Sequence, residues 1–103
     1  MEFFIDKQNQ LYVNEIAPRP HNSGHYSIEA CDYSQFDTHI LAITGQTLPQ
    51  TIELLKPAVM MNLLGRDLDL LEDDFGQHPE WHVHIYGKAE RKPDRKMGHM
   101  TIL

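Results

Sequence analysis

Prolines at positions 18 and 20 bracket Arg19, and no regular element can run through that triplet. Proline fixes its own φ, lacks an amide donor and biases the residue before it toward extended backbone. The chain is therefore cut near its first fifth, and the residues on either side of "APRPHNSGHY" must form separate elements. Before the cut, "EFFI" and "LYVNEIA" are β-prone runs joined by the polar segment "DKQNQ", the pattern of a hairpin. After it, Ser27 is placed to N-cap a helix reaching about Thr44, with Ile28, Cys31, Phe36, Ile40 and Ile43 on one face and Gly45 as its stop.

"TGQTLPQ" then marks a boundary. "AVMMNLLG", "WHVHIYG" and the closing "KMGHMTIL" read as strands, and the acidic run Asp67 to Asp74 reads as a loose solvated connection with at most one helical turn. The expected class is α+β, with two units, residues 1–46 and 47–103.

Strand alternation puts Leu11, Val13 and Glu15 on one face of the second run. A closed hairpin brings Glu2 within reach of Glu15. Two carboxylates at one end of a hairpin repel unless a cation lies between them. With Asn14 they form the hard oxygen set that suits Mg²⁺, which takes one or two carboxylates and completes its shell with water and phosphate oxygens. Acids at strand ends are common, however, and pattern alone leaves this reading open. Arg19, stiffened by its prolines, is a bidentate receptor for carboxylate, bicarbonate or phosphate. In "HNSGH", Asn22 and Ser23 offer hydrogen bonds, and Gly24 allows a ligand to approach the backbone. A Ser23–His25 nucleophile pair lacks the strand–turn–helix elbow such serines need.

Lys88, Arg91, Lys92, Arg95 and Lys96 surround a Pro-Asp turn, holding five of the nine Lys and Arg residues. That loop reads either as a solubilising tip or as a phosphate clasp. His82 and His84 share a strand face, but no zinc-type spacing is present. A net charge of -6 argues against nucleic acid as a partner. The single Cys31 fits a reducing compartment, and no apolar run reaches membrane-spanning length, so a cytoplasmic setting is expected.

"VNEIAPRPHNSGHYSIEA" together with "YGKAERKPDRKMGH" resembles the C-terminal portion of the N5-carboxyaminoimidazole ribonucleotide synthetases, ATP-grasp ligases of purine biosynthesis. The likeness covers essentially the whole chain, including "QF" and "AVMMNLLG". It implies the C-terminal part of an ATP-grasp domain, hairpin plus helix, followed by a small, mostly antiparallel β domain. It also implies a reaction in which ATP activates bicarbonate as carboxyphosphate and 5-aminoimidazole ribonucleotide accepts the carboxyl group. By position, Glu2 and Glu15 match the magnesium ligands, and Asn14 and Glu15 face ATP. Arg19, His21 and Asn22 match the catalytic loop. Asn22, Ser23 and Gly24 match residues facing the acceptor, and Lys88 and Arg95 those holding its 5′-phosphate. The family implies a homodimer and a mutase that receives the product. Its members are several times longer, so the isolated chain is expected to be inactive, and Asp94 stands where the family tends to have Gly. The competing classes are a non-catalytic binding or oligomerisation module and a small histidine-metal protein.

Overall fold

The structure, a computed structural model, describes residues 1–71 and 73–103. Strands β1 (Glu2–Ile5) and β2 (Leu11–Glu15) form the antiparallel hairpin. Asp6 shapes its turn: one carboxylate oxygen accepts from the amides of Gln8 and Gln10, both at 2.8 Å. Asn9 takes the left-handed φ of 60° that closes it. Phe3, Phe4, Ile5, Leu11, Tyr12 and Val13 are all exposed, so main-chain hydrogen bonds rather than a core hold this ribbon.

The single helix expected from Ser27 to Thr44 is two helices, α1 (Ser27–Ala30) and α2 (Gln35–Ile43). The break has a local cause. Ser34 has extended backbone and forms a capping box with Asp37: its hydroxyl accepts from the Asp37 amide, while the Asp37 carboxylate accepts from the Ser34 amide. This starts a new helix where apolar periodicity alone continues the old one. Ser27 caps nothing. It is buried, donates its hydroxyl to the Gly24 carbonyl at 2.6 Å and accepts from the Gln35 amide at 3.0 Å. Chain beyond α2 returns to the helix break, where Leu55 donates to the Ala30 carbonyl and Asp32 to that of Glu53.

Strands β3 (Val59–Leu64), β4 (Trp81–Ile85) and β5 (Lys96–Ile102) form an antiparallel sheet in the order β3-β5-β4. Its two faces differ in kind. One carries the rows Met61–Met100–Val83 and Val59–Ile102–Trp81. The core gathers there: Leu63, Leu68, Met97 and Met100 are buried, with Leu71, Phe75, Trp81, Val83 and Ile102 packed around them. The other face carries the rows Asn62–His99–His84 and Met60–Thr101–His82.

Leu68 and Leu71 come from α3 (Gly65–Leu71), which stands in the acidic run expected to be loose connection. Asp67 accepts from the Leu64 amide at 2.8 Å, and Asp69 pairs with Arg91 at 3.0 Å. Those acids are therefore the polar side of an amphipathic helix. Among the described residues no helix is long and apolar enough to cross a membrane.

Candidate metal and phosphate site

The hairpin ladder is regular from Ile5↔Leu11 to Phe3↔Val13, and by counting it should next pair Glu2 with Asn14. It pairs Glu2 with Glu15 instead. One extra residue in β2 makes a bulge, so Asn14 and Glu15 both oppose Glu2. Simple alternation through Glu15, expected from sequence, therefore fails at Asn14. Asn14 Nδ2 donates to Glu2 Oε1 at 2.9 Å, holding one carboxylate beside the other.

His21 completes the cluster. It ends the stiff Pro18–Pro20 segment and N-caps a 3₁₀ turn at Asn22–Gly24. The Ser23 amide donates to its Nδ1 at 3.2 Å, and the Ser23 hydroxyl lies 2.8 Å from the same atom. With Nδ1 accepting, Nε2 carries the proton and donates to Glu15 Oε1 at 2.5 Å. Glu2 Oε2 lies 3.6 Å from Nδ1. Ligand atoms of Glu2, Glu15 and His21 all lie within 4.8 Å of one another, the one such group among the described residues. A hard cation favours the carboxylate oxygens over an imidazole nitrogen. His21 is thus better suited to orienting Glu15 than to binding Mg²⁺ itself. Ser23 pairs with His21 rather than His25, so the Ser23–His25 arrangement is absent.

Arg19 is exposed and folds onto its own loop, Nη1 donating to the Pro20 carbonyl at 3.0 Å. Asn22 is half-buried, and its side-chain amide has no hydrogen-bond partner among the described residues.

The basic loop sorts itself into two groups. Arg91 pairs with Asp69, Lys92 with Glu90, and Arg66 of α3 with Asp94. Lys88 and Arg95 instead donate to main-chain carbonyls, of Lys96 at 2.7 Å and Glu90 at 3.3 Å. Among the described residues neither has a carboxylate in ion-pair range. Lys88 also sits 5.5 Å from the centre of the Tyr86 ring.

Aromatic and imidazole rings join the halves. His25 stacks on Phe36 at 5.4 Å and lies 4.9 Å from His99, which stacks on His84 at 4.6 Å. The Tyr86 hydroxyl is 2.8 Å from His99 Nδ1, and Glu29 Oε1 is 2.6 Å from His84 Nε2. Burial, with His84 and His25 adding to it, pushes the His99 pKa down to about 4, so this ring is neutral. Burial and Asp32 push the Cys31 thiol up, away from reactivity.

The ATP-grasp domain model matches residues 1–36, and the phosphoribosylaminoimidazole carboxylase C-terminal domain model matches residues 58–103. The N5-carboxyaminoimidazole ribonucleotide synthase of Staphylococcus epidermidis is 86% identical over all 103 residues, and that of Staphylococcus haemolyticus 87%. The chain belongs to the N5-carboxyaminoimidazole ribonucleotide synthase family. It spans 28% of the length of these relatives. Among solved structures, a family member from Staphylococcus aureus complexed with ADP matches 98% of the chain and 27% of its own, with 84% identity and a TM-score of 0.93. The Aspergillus clavatus synthase in complex with ADP and 5-aminoimidazole ribonucleotide matches 97% of the chain and 28% of its own, at 40% identity and TM-score 0.82. The α+β class, an ATP-grasp part followed by a small antiparallel β domain, is borne out.

Three parts of this candidate site escaped the sequence. The bulge leaves no mark on composition. Gln35, the first letter of "QF", holds the loop. Glu29 and His84 meet across the two halves of the chain, a relationship no local pattern encodes.

Proposed function

We propose that these 103 residues supply the metal, bicarbonate and acceptor-phosphate ends of an ATP-dependent ligase that carboxylates 5-aminoimidazole ribonucleotide on its amine. The observation carrying this reading is the bulged pair Glu2/Glu15, with Asn14 and His21 fixing its oxygens. Two carboxylates held side by side fit a divalent cation, and Mg²⁺ bound there would neutralise charge on the terminal phosphates of ATP. Glu2 and Glu15 would be its ligands, and Asn14 and Glu15 would face the nucleotide.

The remaining roles belong to the chain's own groups. Arg19 presents a guanidinium to bicarbonate and to the carboxyphosphate formed when ATP gives up its γ-phosphoryl group. His21 and Asn22 line that space, and Asn22, Ser23 and Gly24 meet the aminoimidazole. Lys88 and Arg95, which donate to carbonyls rather than to carboxylates, exchange those bonds for the acceptor's 5′-phosphate. The amine then attacks the activated carboxyl carbon, releasing inorganic phosphate and giving N5-carboxyaminoimidazole ribonucleotide, which passes to a mutase. We place the unit division at residues 46/47, the working assembly as a homodimer and the setting as the cytoplasm.

The test is ADP release by the longer ligase that carries this segment. Release must require both bicarbonate and 5-aminoimidazole ribonucleotide. Turnover of ATP indifferent to both would overturn the reading, and no turnover at all would favour a binding or oligomerisation module.

A further inference from the structure

Gln35 is the first residue of α2, yet its side chain reaches back to the loop that carries His21. Its Oε1 accepts from the His21 amide at 2.7 Å, and its Nε2 donates to the His21 carbonyl at 2.8 Å. A main-chain N–H can only donate, so this pairing fixes which end of the side-chain amide is oxygen. Nε2 then has one hydrogen left, and His25 Nδ1 lies 2.7 Å from it. Both donors and the acceptor of one amide are thereby used. A Cβ on Gly24 would sit 2.7 Å from Gln35 Oε1 and 3.0 Å from its Cδ, so a side chain there would have to displace the Gln35 amide.

We propose that Gln35 is a positioning residue for the ligase: it sets His21 against the two carboxylates and holds His25 in the Nε2–H form facing the β unit. This rests on the function proposed above, which gives the loop its substrates. The clamp sits at a node. On one side is the His21–Glu15 bond. On the other, His25 packs on His99, whose Nδ1 meets the Tyr86 hydroxyl beneath Lys88. One side chain thereby sets the loop against both the metal end and the phosphate end. Gln35 itself touches no substrate; it acts through the loop.

Two readouts separate positioning from plain stability. The first is the imidazole tautomer of His25, read by nitrogen NMR of the chain at a pH where the ring is neutral. The native chain should show Nδ1 unprotonated, and Gln35→Met should give a mixture of both forms. The second is kinetic, in the full ligase. Gln35→Met should raise the KM for bicarbonate and for 5-aminoimidazole ribonucleotide about tenfold or more, leaving the KM for ATP within about twofold. Gly24→Ala, which pushes the clamp out from the opposite side, should reproduce that pattern even if Gln35→Met fails to fold. Because both break one device, the double variant should be within about twofold of the worse single variant. Losses that multiply, an ATP KM that rises equally, or an unchanged tautomer would each overturn the proposal. A native ligase that ignores bicarbonate would instead strike the functional reading, and the tautomer result would stand apart from it.

Discussion

Glu29 and His84 lie 55 residues apart and meet through a 2.6 Å hydrogen bond between Oε1 and Nε2. Glu29 comes from α1 and His84 from the polar face of the β3-β5-β4 sheet, so this contact spans the two halves of the chain. The second Glu29 oxygen is buried without a hydrogen-bond partner among the described residues. His84→Ala should therefore leave a carboxylate stranded and cost about 1–3 kcal/mol in urea unfolding. Replacing both residues with leucine should recover a good part of that loss. A double variant as unstable as the two single losses summed would show that the pair does not act as a unit.

His99 gives a pH dependence of known sign. The folded state keeps it neutral to about pH 4, whereas the ordinary value for a free imidazole is 6.5. Above 6.5 neither state binds the proton, and stability is at its full value. As pH falls from 6.5 toward 4, the unfolded chain takes up a proton that the folded chain refuses. Stability should drop by up to roughly 3 kcal/mol over that window and flatten below it. Denaturation midpoints of the native chain and of His99→Gln, compared across the range, should converge as pH falls.

The two ends of the site should fail differently. In the full ligase, Glu15→Gln should lower kcat about 100-fold or more with little change in the acceptor's KM. Lys88→Ala should raise the acceptor's KM about tenfold to 100-fold and spare kcat. Steady-state kinetics with each substrate varied in turn checks both. An acceptor KM untouched by Lys88→Ala would remove the phosphate assignment.

Gly98 is where β4 and β5 come too close for any side chain. A Cβ there would press into the His84 carbonyl, inside van der Waals contact. Gly98→Ala should open the ladder at the Ile85 pair and cost about 2–4 kcal/mol. Amide exchange should quicken in β4 before β3. Uniform quickening would mean that the strain is spread rather than local.

The sequence made the elements legible where apolar runs had clean ends. All five strands among the described residues were found, because each is a short β-prone run set off by polar or glycine-containing breaks. Two connections read differently once folded. The Ser34–Asp37 capping box divides a helix whose periodicity looks continuous. Asp69 looked solvated because its basic partner, Arg91, lies 22 residues downstream. At the site, residue types pointed to metal and phosphate chemistry, but the clamp and the bulge depend on tertiary closure and on a break in pairing.

That bulge has a genetic corollary. Losing the Asn14 codon would restore an unbroken ladder with Glu15 still opposite Glu2, but without the amide that holds Glu2 Oε1. Gaining one between Glu2 and Phe3 would even the count as well, and would turn Asn14 to the face away from Glu2. Such a chain would fold as well as before, or better, and would keep both acids but lose the amide that steadies Glu2. At this hairpin, frame-preserving insertions and deletions should be tolerated by the fold and refused by the chemistry.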